Sequence, residues 1–195
     1  MTSQQDWHIP YHQDSLTLQT ALLSMPAPAG SLELPLLLRL QRDPSLSFLG
    51  QLAFRAGLDR HQSDCIHVVL GRGFLPLDQA FVLGYTLGSS KKGSMPEHRL
   101  HGEVGRHFYK STQLLSEAQA IVFKDAIKLA YLSFCAPLDS FDFTPWHDRP
   151  LRQVREAMGL ETELMCAYYA VEKHRFPHEL ASQRLLPNPP QAAAN

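Results

Sequence analysis

The sequence predicts an all-α fold: a single compact domain of about seven helices. Apolar residues recur at helical spacing over long stretches, and no segment alternates in the period-two pattern of a half-buried strand. Prolines and glycines punctuate the chain where helices should start and stop. At 195 residues the chain is long enough for one ordinary domain with a real core. Residues 1–14 read as an irregular N-terminal segment, 15–180 as the helical domain and 181–195 as a flexible, proline-rich tail.

Each element has its own signature. "SLTLQTALLSM" (15–25) places Leu16, Leu22 and Leu23 near helical spacing, and "PAPAGS" ends it. "LELPLLLRL" (32–40) is short and apolar and is assigned a helix. In 43–60, Leu49, Leu52, Ala53 and Ala56 follow the 3.6-residue repeat, and helix continues through "DCIHVVL" to a stop at Gly71 and Gly73. Pro76 opens the next helix, which carries Leu77, Ala80, Phe81 and Gly84 along one side and ends near Gly88. "GSSKKGS" (88–94) reads as a loop and 97–110 as a helix. Ser116, with Gln119 three residues on, forms a capping box for a helix with Ile121, Val122, Ala126, Leu129 and Ala130 inward. A long connection over 135–150 leads to a helix from Pro150 to the Gly159 region, then a last helix over 161–174. In the former, Leu151 and Val154 should face the core, with Arg152 and Arg155 turned to solvent.

Composition excludes several classes. Net charge is −1, with no basic stripe, so nucleic acid is not a partner. The three cysteines, Cys65, Cys135 and Cys166, are unclustered and read as buried thiols of a reducing compartment. The N-terminus lacks the basic and apolar regions of a signal peptide, and no apolar run reaches a bilayer-spanning length. The expected location is the cytoplasm, or the surface of a membrane as a peripheral protein. Ser, His and Asp are present without a Gly-x-Ser-x-Gly elbow, and Gly71-Arg72-Gly73 is not a dinucleotide fingerprint.

Chemistry centres on "SDCIHVVLGRGFLPLDQ" (63–79). Asp64 and His67, three apart on a helix, share a face and can offer a carboxylate oxygen and an imidazole nitrogen to one divalent ion. An ion needs more ligands, and Gln79, in the first turn of the next helix, can fold back toward His67. The same two residues also suit a purely structural role, as a helix-end carboxylate and a core histidine. A rival His-x-x-His lies at His98 and His101, flanked by Glu97 and Glu103; its bland alternative is a solvated helix face.

At these residues the chain resembles the coenzyme Q (ubiquinone) biosynthesis protein 4 family. That family carries His-Asp-x-x-His, eleven residues and Glu, with glycines between. The motif falls on Ser63, Asp64, His67 and Gln79, with Gly71 and Gly73 at the glycine-rich turn. "DFTPWHDRPLRQVREAMGL" (142–160) is similar to the family's C-terminal segment, and "DPSLSFLGQLAFRAGLD" to the helix leading into the motif, so the likeness spans about 43–160. The resemblance implies a helical protein with a long apolar cavity for an isoprenoid or prenylated aromatic lipid. It implies action beside other quinone-biosynthesis proteins at a membrane surface. Asp64 and His67 would mark the polar end, and Leu70 and Leu83 the lining.

Two motif positions depart. Ser63 stands for the first His and Gln79 for the Glu, and both are poorer ligands. The cofactor expected is therefore at most a weakly bound divalent metal on Asp64 and His67. The alternative the resemblance implies is an enzyme, in which those two residues are catalytic and support metal-dependent C1 decarboxylation or hydroxylation of a prenylated quinone precursor. His61, about 200° around the helix from Ser63, is no substitute for the missing His.

Overall fold

The computed structural model describes residues 7–26, 60–91 and 115–187. Seven α-helices lie among them: α1 (Leu18–Leu23), α2 (Arg60–Val69), α3 (Pro76–Lys91), α4 (Glu117–Leu132), α5 (Leu151–Ala157), α6 (Thr162–Arg175) and α7 (Leu180–Gln183). A single 3-10 turn, Thr144–Trp146, sits in the connection between α4 and α5. No strand occurs among the described residues; one isolated antiparallel bridge joins Thr17 to Pro150. The expected all-α class is what the chain adopts. The segments 32–40, 43–59, 92–94 and 97–110, with the rival pair His98 and His101, lie outside the described residues.

α3 and α4 form the most extensive helix pair. Gly84 and Gly88, one turn apart on α3, face Ala126 and Ala130 on α4. A Cβ at Gly88 would stand 2.5 Å from the Ile127 carbonyl oxygen and 2.9 Å from the Ala130 Cβ, and one at Gly84 would overlap the Phe123 carbonyl oxygen. Only glycine permits this approach. Gly88, expected to end the helix, is therefore a packing residue, and α3 runs on to Lys91. α4 starts at the expected capping box: Gln119 N donates to Ser116 Oγ (3.2 Å) and Ser116 N donates to Gln119 Oε1 (2.7 Å). Its buried residues are Val122, Phe123, Ala126, Ile127 and Ala130, so Ile121 and Leu129 lie at the edge of the stripe.

The end of α2 is closed at every carbonyl. Gly71, at φ 64°, sits in the left-handed conformation that glycine adopts without Cβ strain. Arg72 N donates to His67 O (2.9 Å) and Gly71 N to Val68 O (3.0 Å), the paired bonds of a Schellman cap. The next two carbonyls take side-chain donors: Arg155 Nε bonds Val69 O at 2.9 Å and the Tyr169 hydroxyl bonds Leu70 O at 2.5 Å. Gly159, at φ 70°, ends α5 with the same cap.

Several sequence expectations are corrected by tertiary packing. Leu151 and Val154 are fully buried as expected, and Arg152 is exposed, but Arg155 is only 2% exposed. Its guanidinium lies 3.9 Å over the Tyr11 ring and donates to Tyr11 O at 2.7 Å, so it ties the N-terminal segment to α2 and α5. In α1, Leu18 and Ala21 face the core while Leu23 is exposed. Two cysteines, Cys65 and Cys135, are buried, and Cys166 is half-buried. Residues 181–187, expected to belong to a flexible tail, pack on the domain, with Ala181, Ser182 and Leu185 buried.

At the centre is a charged network. Arg72 makes two bonds to the Glu172 carboxylate (2.9 and 2.6 Å), and its guanidinium stacks 3.9 Å over Phe81. Asp78 lies 3.8 Å from Arg72 and pairs with Arg184, while Ser182 Oγ donates to Glu172 at 3.0 Å. Arg72, Glu172 and Asp78 have no exposed side-chain surface. Buried charges persist only when paired, and this network joins the 71–75 turn, α3, α6 and α7.

Candidate functional site

Beside α2 the described residues form an open cleft of about 430 Å³. Its lining combines the polar residues Arg60, His61, Asp64 and His147 with the apolar residues Leu22, Leu23, Met25 and Phe74. Leu23, at the edge of the concavity, is 79% exposed. Phe74 is held by stacking on Trp7, with ring centroids 5.2 Å apart.

The structure separates the residues of the 63–79 motif. Asp64 borders the cleft, 3.8 Å from Arg60 one turn earlier. Partial burial pushes its carboxyl above the ordinary range, against the lowering pull of Arg60 and His61. His67 is buried, with its ring packed 5.2 Å from Phe74. Burial holds its pKa down to about 4, outweighing hydrogen bonding to the backbone at Gly73 and Arg72. Ser63 is half-buried on α2. Gln79 donates from Nε2 to Phe74 O at 2.9 Å, fastening the turn before α3. Leu70 is fully closed in the core and Leu83 is 8% exposed; neither borders the cleft.

A different set of donors converges at the cleft. His61 and Cys65 are one turn apart on α2, so their side chains leave the same face. His147 follows the 3-10 turn. His61 Nε2 stands 3.0 Å from His147 Nε2 and 3.7 Å from Cys65 Sγ, and all three donor atoms lie within 4.8 Å of one another. Cys65 is buried, His147 half-buried and His61 exposed, so the group runs from the core to the cleft.

The backbone fixes this arrangement from both sides. Gln62 Nε2 donates to Leu138 O (2.8 Å) and Phe141 O (2.9 Å), binding α2 to the connection that carries His147. The first turn of α1 holds the other flank, with Gln19 N donating to His147 O at 2.8 Å and Leu18 N to Arg149 O at 3.1 Å. Asp142 accepts from Thr144 N at 2.9 Å, which sets the 3-10 turn; bonding to Thr144 draws the Asp142 carboxyl below its usual range.

His61 and Cys65 were visible in the sequence as His-x-x-x-Cys at helical spacing. His147 was not, because it lies 86 residues from His61 and is brought to it by tertiary contacts of the connection with α2 and α1. Among the described residues no helix is long and apolar enough to cross a membrane. No protein-family model, curated protein or solved structure matches the chain.

Proposed function

We propose that the chain is a divergent member of the coenzyme Q biosynthesis protein 4 family that binds an isoprenoid or prenylated aromatic lipid in the cleft beside α2. The supporting observation is that one concavity joins the motif carboxylate Asp64 to an apolar wall of Leu22, Leu23, Met25 and Phe74. Pockets for small ligands have this mixed character, largely apolar with a few polar groups that fix orientation, and volumes of roughly 300–1,000 Å³. The aromatic head lies on the polar side, where Arg60 offers donors to an acidic ring substituent. The tail runs over Leu22 and Leu23. Leu70 and Leu83, closed into the packed interior, are replaced in this reading by the α1 leucines. A membrane surface supplies the lipid, and other quinone-biosynthesis proteins are the partners.

Both tryptophans of the chain report on this cleft: Trp7 stacks on Phe74, and Trp146 precedes His147. Titration with a farnesylated hydroxybenzoic acid should therefore change tryptophan fluorescence saturably, and Leu23→Asp should weaken binding about tenfold or more, a loss of about 1.4 kcal/mol. Equal binding of the same acid without its prenyl chain would refute the lipid reading. Turnover of the acid with loss of its carboxyl group would favour the enzymatic reading instead.

A further inference from the structure

We propose that His61, Cys65 and His147 form a transition-metal site, separate from the Asp64–His67 pair and independent of the lipid reading. The geometry carries it. Zinc sits about 2.0–2.1 Å from histidine nitrogen and about 2.3 Å from cysteine sulfur. Tetrahedral angles then separate two nitrogens by about 3.3 Å, and a nitrogen from the sulfur by about 3.6 Å. Two observed separations match, 3.0 Å between the two Nε2 atoms and 3.7 Å from His61 Nε2 to Cys65 Sγ, and the third, between His147 and Cys65, lies within 4.8 Å. A shift of a few tenths of an ångström in the exposed His61 ring opens the pair to the required spacing.

The donor set points to the class of ion. Two imidazoles and a thiolate suit zinc, cobalt or copper, while magnesium and calcium need oxygen ligands. Three protein ligands leave a fourth position open, and His61 and His147 line the cleft; an open position is the pattern of zinc sites that act on a bound water or substrate rather than closed structural sites. Cys65 binds as the thiolate, so loading releases one proton from its thiol. The ligands are also held by their surroundings. α2 positions His61 and Cys65, while Gln62 and the first turn of α1 fasten the segment bearing His147.

The test is a cobalt titration of the full chain, reduced and stripped of metal. Wild type should bind one equivalent, with visible bands of tetrahedral cobalt and a near-ultraviolet thiolate-to-cobalt band. Cys65→Ser should abolish the near-ultraviolet band. His147→Gln, on a partly exposed residue of the connection, should keep the wild-type helical spectrum and weaken binding by at least about 100-fold, beyond what loss of an outer-sphere partner costs. His67→Gln should bind as wild type does. The proposal is overturned if saturated wild type shows no thiolate-to-cobalt band, or if His147→Gln binds normally. It is equally overturned if His67→Gln loses the metal while His147→Gln retains it. Farnesylated-acid binding by the metal-free chain, followed by tryptophan fluorescence, reads out the lipid proposal separately.

Discussion

His67 shows how a motif residue can be recruited by the core. Its pKa falls from 6.5 in the unfolded chain to about 4 in the fold, because burial disfavours the charged ring. The unfolded chain therefore takes up the proton first as pH drops. Stability from the neutral ring is present above about pH 6.5 and is lost as pH falls toward 4, by up to about 3 kcal/mol. Urea melts from pH 7 to pH 4.5, run with chelator, should show this loss in wild type and a flatter profile in His67→Gln; identical slopes would mean that the ring is solvated. Gln79 is not simply a weakened glutamate. Its Nε2 donates to the Phe74 carbonyl, and a carboxylate there would set acceptor against acceptor. Asp64, singled out by its spacing from His67, borders the cleft, but spacing alone could not show that His67, one turn on, is buried against Phe74.

At the scale of the element, α2 is defined by what caps it. Its glycine stop was readable, since a Gly-x-Gly after an apolar run marks a left-handed cap. The side-chain donors to Val69 O and Leu70 O were not, because Arg155 and Tyr169 lie 86 and 99 residues away. Arg155 and Arg152 look alike in sequence, yet among the described residues Arg152 pairs with Glu156 on the surface, at 3.7 Å. Arg155→Ala should destabilise by about 3 kcal/mol, since it leaves buried carbonyls of Val69 and Tyr11 without a charged donor. Arg152→Ala should stay within about 0.5 kcal/mol. Denaturant unfolding of the two variants checks the contrast; equal effects would contradict the burial of Arg155. Gly88 reads as a helix end in the sequence for a related reason: only the opposing Ala126 and Ala130 reveal that it forms a packing groove with Gly84.

Across the whole molecule, the charged centre makes the C-terminal helices part of the fold rather than an addition to it. Arg72 pairs with Glu172, 100 residues downstream, and Ser182 and Arg184 complete the network through Glu172 and Asp78. Hydrophobic periodicity gave the helical class and most of the helices, whereas a lone arginine between two glycines carries no sign of its buried partner. Glu172→Gln should therefore cost about 3–5 kcal/mol, because it leaves a buried guanidinium without its paired charge. A melting temperature unchanged from wild type would show that the network does not hold the domain together. The same long-range ties bring His147 to α2 and close the cleft that both proposals use. Native mass spectrometry of the full chain, reduced and incubated with zinc and a farnesylated hydroxybenzoic acid, tests that cleft most directly. Wild type should carry one metal ion and one lipid, with loss of the metal in His147→Gln and loss of the lipid in Leu23→Asp. A bare wild-type chain, or adducts that both variants retain, would contradict this.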